Sequence, residues 1–152
     1  MDARDWPAVE AIFAEGIATR NSTFETSPPT YGSFDASHHA AHRFVAVDDG
    51  RVVGWAALSP TSSRACYAGV AESSVYVAEA ARGRGVGRAL MDAIVASARA
   101  AGLWTIHAGM FPENTPSAAL HESMGFRLVG RFERIGQLDG VWRDTILLEL
   151  KL

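Results

Sequence analysis

Three glycines set among arginines, Arg82-Gly83-Arg84-Gly85-Val86-Gly87-Arg88, join a β-prone run, Ala71 to Val77, to an alanine-rich stretch, Ala89–Ala101. No other feature of the chain limits its fold as much. Glycine at such a junction lets backbone N–H groups come close to a ligand and adopts dihedrals closed to other residues. A helix N-terminus directly behind it adds oriented donors and a partial positive charge, the makings of an anion site. Arg82, Arg84 and Arg88 bring guanidinium groups with bidentate reach, so phosphate is the natural occupant. A P-loop is excluded, because Gly87 is followed by Arg88-Ala89 and not by lysine and a hydroxyl. A dinucleotide fingerprint is excluded too, since glycines at 83, 85 and 87 lack the G-x-G-x-x-G spacing. The plainer alternative is a solvated turn whose arginines face water.

The rest of the chain supplies the elements such a turn needs. Asp5 is a plausible N-cap for a first helix carrying Val9, Ile12, Phe13 and Ile17 at helical spacing. Thr19 to Ser37 reads as loop, with a short helical turn before His38 and with Phe24, Tyr31 and Phe34 interleaved. Phe44–Val47 and Val52–Leu58 flank Asp48-Asp49-Gly50-Arg51, a strong hairpin signal. Pro60 to Gly69 is a loop. Leu90, Ile94 and Val95 form the apolar stripe of the Ala89–Ala101 helix, and Gly102 stops it. Leu103 to Ala108 is strand-like, and Thr115-Pro116 offers an N-cap and first-turn proline for a short helix closed by Gly125. Phe126 to Phe132 and Trp142 to Leu150 are final strands around a turn at Leu138-Asp139-Gly140. Helix, hairpin, strand, helix, strand, helix and two strands make a mixed α/β architecture with at least one parallel crossover.

The chain has 152 residues, with 48% hydrophobic and 20% charged, which suits one globular domain over residues 1–152. A net charge of −3 speaks against sequence-independent nucleic-acid binding, so an anionic ligand must be held by a local cluster. Cys66 stands alone, which removes an internal disulfide and a multi-cysteine zinc site and fits a reducing compartment. His38, His39 and His42 lie in a polar loop and read as surface, without a metal-ligand pattern. With no basic leader and no long apolar run, the expectation is a cytoplasmic protein without a membrane anchor.

Arg82-Gly83-Arg84-Gly85-Val86-Gly87 matches the R/Q-x-x-G-x-G/A signature of the GNAT (GCN5-related) N-acetyltransferase superfamily. Asn114 through Phe126 resembles the second half of that signature. Glu72-Ser73-Ser74-Val75-Tyr76-Val77, Leu120-His121-Glu122 and Trp142-Arg143-Asp144 resemble, more narrowly, the phosphinothricin and methionine sulfoximine acetyltransferase branch. The resemblance implies a central mixed sheet, flanked by helices, whose parallel strands splay apart to admit acetyl-CoA. Those strands would be Ala71–Val77 and Leu103–Ala108. Backbone groups of Val75, Tyr76 and Val77 would bind the acetyl carbonyl and pantetheine. Arg82, Gly83, Arg84, Gly85, Val86, Gly87 and Arg88 would cradle the pyrophosphate, and Asn114 and Ser117 would meet the arm or the phosphates. The resemblance also implies a homodimer paired through C-terminal strands, for which Phe132 and Trp142 are candidates.

Acetyl transfer requires a neutral amine, and a free α-amine is mostly protonated near neutral pH, so a base is needed. Strand alternation puts Glu72, Ser74 and Tyr76 on one face and Ser73, Val75 and Val77 on the other. Glu72 stands where the branch carries its proposed base; the bland alternative is a solvated strand-end carboxylate. His121 occupies the position of the tyrosine that protonates the thiolate in many members, and an imidazole can donate there. A histidine merely packed on the helix is the alternative, and His107 is a weaker candidate for lining the cleft. On the acceptor side the resemblance points to Phe24 as a wall, and to Arg64 and Tyr67 of an R-x-x-Y loop as contacts for an acidic head group. A polyamine or aminoglycoside would call for an acidic pocket; Arg64 and the hydroxyls of these loops point the other way. Two departures from the branch stand out. Ala68-Gly69 replace an aromatic after Tyr67, and Gly136–Trp142 lacks the usual two basic residues. The leading strand of the family is also not expected before the first helix. The function implied is N-acetylation of a small amino-acid-like amine, with no metal and no nucleic-acid or membrane partner; the rivals are transfer to a different amine (a peptide N-terminus, a polyamine or an aminoglycoside) and a silent acyl-CoA-binding module.

Overall fold

The computed structural model describes residues 1–152. Its order is α1 (Trp6–Ala18), α2 (Tyr31–Ser37), β1 (Arg43–Asp48), β2 (Arg51–Pro60), β3 (Val70–Val77), α3 (Val86–Ala100), β4 (Thr105–Met110), α4 (Thr115–Ser123), β5 (Arg127–Leu138) and β6 (Val141–Lys151). The strands form one six-stranded sheet in the order β1-β2-β3-β4-β6-β5. Only β3 and β4 pair in parallel, across the crossover that α3 provides.

Strand alternation builds two cores from one sheet. Ala56 and Leu58 of β2 point to the α3 face and pack with Leu90, Met91 and Ile94, all nearly solvent-free. Trp55 and Ala57 point oppositely, onto Val9, Phe13 and Ile17 of α1 and Phe34 of α2. Both tight hairpins carry consecutive positive-φ residues, Asp49 and Gly50 in the first and Asp139 and Gly140 in the second, as a mirror-image turn requires. No helix is long and apolar enough to cross a membrane.

The structure revises four local expectations. Asn114, not Thr115, caps α4, its side-chain oxygen accepting from the Ser117 N–H at 3.4 Å. Asp5 stands at the N-cap of α1, but its carboxylate accepts from the Asp2 N–H and not from the helix. β5 runs six residues beyond Phe132, because irregular register between Phe132 and Gly136 absorbs a bulge that no period-2 pattern reveals. The histidines before β1 are not a surface group: His42 is 6% exposed, with Nδ1 at 2.7 Å from Ser97 Oγ of α3. His38 stacks on Phe34 with centroids 4.0 Å apart, and His39 is half-buried. The reason is backbone pairing: His39 N–H donates to Leu58 and Leu58 N–H to His42, which folds the segment against the end of β2.

Candidate active site

β3 and β4 share only three register pairs, Val70 with Thr105, Ala71 with Ile106 and Glu72 with His107. Beyond Glu72, β3 stays with β2 as far as Val77, while β4 stays with β6 as far as Met110. The strands therefore part, and no strand pairs the β4-facing edge of Ser74 to Val77. Ser73 Oγ donates to the His107 carbonyl at 3.2 Å where the wedge opens. Two cavities, of about 410 and 450 Å³, occupy this wedge and its flanks. Ser22, Val75, Tyr76, Asn114 and Ser117 line both, so the two meet at the middle of β3.

The first cavity is built from the glycine turn. Gly85 is the N-cap of α3 with φ +83°, and Gly83 has φ +72°. A Cβ at either would meet nothing within 4 Å, so glycine serves backbone conformation there and not space. The first N–H groups of α3 have no partner within the helix, and the residues that carry them, Val86 and Gly87, line this end of the cavity. Val75, Tyr76 and Val77 form one wall, and Gly83, Gly85, Val86 and Gly87 the floor. Arg82 lines it as well, its Nε held by the Val77 carbonyl at 3.3 Å. Arg84 and Arg88 do not. Arg84 is paired with Asp48 at 2.8 Å, and Arg88 points along α3 toward Asp92 and Ser123. An edge of free peptide groups ending at amide donors and one guanidinium fits an amide-bearing arm that terminates in a diphosphate.

The second cavity holds the candidate chemistry. Glu72 lines it, and its carboxylate has no hydrogen-bond or ion-pair partner. Oε1 lies where a Cβ at residue 109 would be only 3.2 Å away, so Gly109 on β4 gives the carboxylate its room. His121, 4% exposed, lines the same cavity. Its Nδ1 bonds the Ser117 carbonyl at 2.8 Å, its ring meets Phe126 edge-on, and its buried Nε2 has no partner. Burial holds its pKa below the usual imidazole range, against the opposing pull of the Ser117 carbonyl. A neutral ring whose Nδ1–H donates to a carbonyl leaves Nε2 as an acceptor. Packed residue and cavity residue are thus one and the same.

Phe24 forms a wall of this cavity, edge-on to Phe111 at 4.8 Å and close against Gly136 of β5. Arg64 and Tyr67 lie elsewhere: they occupy the exposed single turn before β3, with Arg64 over the Tyr67 ring, and line neither cavity. His107 is directed at Glu149, 3.9 Å away, and lines neither cavity.

Sequence reasoning missed the supports. Strand alternation puts the Tyr76 side chain on the Glu72 face and the resemblance gives it a backbone role; in the structure its ring also stacks on Trp55 at 4.7 Å and packs closely against Gly16 of α1. Its hydroxyl meets the side chains of Ser22 and Thr23, and burial pushes it up to about 12. Arg143 donates to the Arg20 carbonyl and Asn21 Oδ1 at 3.0 Å and to Glu113 at 3.1 Å, stacked over Phe111. Together they pin the loop after α1 over the wedge. The signals for these supports are Gly16 inside α1 and the Trp142-Arg143-Asp144 motif.

Residues 6–126 match the model of the Acetyltransferase (GNAT) family. An L-methionine sulfoximine/L-methionine sulfone acetyltransferase of Pseudomonas paraeruginosa is 29% identical over 97% of this chain and 90% of its own length. A phosphinothricin N-acetyltransferase of Alcaligenes faecalis is 32% identical over 97% of this chain and 78% of its own. Among solved structures, a GNAT superfamily phosphinothricin acetyltransferase from Sinorhizobium meliloti, in complex with acetyl-CoA, superposes with a TM-score of 0.90 at 29% identity, covering 100% of this chain and 85% of that one.

Proposed function

The chain belongs to the acetyltransferase (GNAT) family, in its phosphinothricin acetyltransferase-like branch, and is an acetyl-CoA-dependent N-acetyltransferase; on that premise we propose that it acetylates the free amine of a small, amino-acid-sized acceptor by direct transfer within a ternary complex. The observation that carries this reading is the unpaired Glu72 carboxylate, lining a cavity that meets the wedge at Val75 and Tyr76. The acceptors named for the relatives, methionine sulfoximine and phosphinothricin, support the size class.

Val75 to Val77 present the peptide edge for the acetyl carbonyl and pantetheine arm. Gly83, Gly85, Val86, Gly87 and Arg82 receive the diphosphate, with Asn114 and Ser117 between arm and acceptor. Arg84 and Arg88 act at most as field charges. Glu72 takes the proton from the acceptor ammonium, and the freed lone pair attacks the thioester carbon. A C–N bond forms, the C–S bond breaks, and the sulfur leaves as thiolate needing a proton. His121 supplies it in two moves. Its Nε2, an acceptor at rest, first takes the second proton of the attacking nitrogen and then yields it to sulfur. No acyl-enzyme is required, which leaves Cys66, free and exposed on the loop before β3, without a catalytic duty.

The same proposal includes a homodimer, supported by the apolar side chains that β5 and β6 leave exposed, and a cytoplasmic setting, supported by the single free thiol. The test is release of CoA thiol from acetyl-CoA across a panel of small primary amines. Turnover with at least one amine is expected; acetyl-CoA binding without thiol release from any of them overturns the transferase reading in favour of a silent binding module.

A further inference from the structure

The charge of the acceptor cavity can be read directly from its lining. Eighteen residues line it, and the charged ones are Glu25 and Glu72; none is lysine or arginine. The cation expected there from sequence, Arg64, stands outside, over Tyr67. Arg143, stacked over Phe111, is committed to the Arg20 carbonyl, Asn21 and Glu113. The lining also includes apolar and hydroxylic side chains, Phe24, Phe111, Ile135, Ser22, Thr23 and Thr145. A free carboxylate entering this cavity would meet a like charge at either end and no counterion from this chain, an arrangement that costs affinity.

The two carboxylates are not neighbours. Glu72 lies at the closed end of the wedge, opposite His107. Glu25 lies on the loop after α1 and lines the cavity together with Tyr76. Tyr76 is four residues further along the same face of β3, roughly 13 Å at ~3.3 Å per residue. One carboxylate is thus placed to deprotonate an amine, and the other to hold a second cation some distance away.

Resting on the transferase reading above, we infer that the preferred acceptor is a small diamine, or an amino-acid derivative with its carboxylate masked, bound by a second ammonium group at Glu25. Glu25 is then a specificity residue that touches substrate, and the acceptor matches those of the named relatives in size and differs from them in charge. The chemistry is unchanged: one amine loses its proton to Glu72 and takes the acetyl group, while the other stays protonated.

The test is thiol release measured with 1,3-diaminopropane, putrescine, cadaverine and lysine amide against phosphinothricin, methionine sulfoximine and free glutamate. A kcat/KM for the best diamine or amide about tenfold or more above that of every free acid is expected. Glu25→Gln should raise the KM for the diamine about tenfold and leave the KM for acetyl-CoA within twofold. Glu25→Lys should reverse the preference by lowering the KM for phosphinothricin, a gain that loss of folding cannot imitate. Higher kcat/KM for free acids, or diamine KM values indifferent to both substitutions, would overturn the inference while leaving acetyl transfer standing. A free-acid preference abolished by Arg64→Ala would also overturn it, and would assign the counterion to the loop before β3. No release with any amine would overturn the transferase reading itself.

Discussion

Glu72 and His121 show how one cavity sets different tasks for two titratable groups. The carboxylate is exposed, unpaired and given space by Gly109; the imidazole is enclosed and tied at one nitrogen. Glu72→Gln keeps shape and removes the proposed base, so kcat should fall by about 10²–10⁴-fold. Acetyl-CoA affinity by calorimetry should stay within twofold. Retained turnover would remove Glu72 from the mechanism. The histidines also make stability depend on pH in a definite direction. Burial lowers the pKa of His38, His42 and His121 in the folded chain. The unfolded chain therefore binds more protons once pH drops below about 6.5, and stability declines as pH falls. Glu113, Asp144 and Glu149 also have lowered folded values. Their contribution is present above the usual carboxylate range and is lost only below it, a separate window. Urea midpoints should thus be flat from pH 8 to 7 and fall between pH 6.5 and 5. Replacing His38 and His42 with Gln should flatten that fall; an unchanged slope would show that these rings do not cause it.

At the scale of elements, the proposed grip on the cofactor rests on the junction between β3 and α3. Gly85→Ala puts a side chain on φ +83°, where space is open but the left-handed backbone costs about 1–2 kcal/mol. The chain relieves that cost by turning the first amides of α3 away from the cavity. Acetyl-CoA affinity should fall about tenfold or more, while Gly32→Ala, also in open space but without a positive φ, leaves it unchanged. Equal affinity for the two variants would detach this turn from the cofactor. The same junction marks what was legible beforehand. Period and punctuation gave the hairpin at Asp49-Gly50, the α3 stripe and its Gly102 stop, because those signals are local and lie within a few residues of the structure they cause. The strands that part after Glu72 followed from motif resemblance and not from pattern. Side-chain destinations were another matter. Arg84 is drawn off by Asp48, thirty-six residues away, and His42 is buried by Ser97, fifty-five away. Arg64 sits beyond the cavity because the loop before β3 turns outward. Such partnerships depend on where distant elements come to lie, which no window of the sequence contains.

Over the whole molecule, one end of the sheet stays unfinished. β5 is the edge strand at that end, as β1 is at the other, and an open edge invites pairing or must be protected. Here it is neither short nor uniformly charged. Trp142 is 49% exposed, Phe132 48%, Ile135 55% and Val141 62%, with Leu128 and Val129 also open. A cluster of large apolar side chains on one hairpin is unusual for a chain that stays alone. Arg134 stacks over Trp142 and covers part of it. The hairpin also borders the acceptor cavity, since Ile135 and Thr145 line it. Association there would place a second copy at the cavity mouth and make acceptor binding depend on assembly, while the glycine turn lies apart from it. A double substitution, Phe132→Glu with Trp142→Glu, should therefore shift the mass in light scattering from a dimer toward the 16.3 kDa single chain. Both positions face solvent in the isolated chain, so its melting temperature should hardly move. If assembly shapes the acceptor cavity, the KM for the acceptor should rise several-fold and the KM for acetyl-CoA should not. A wild-type chain that weighs as a monomer at tens of micromolar would end the homodimer proposal. A monomeric variant with an unaltered acceptor KM would show instead that each copy builds its site alone.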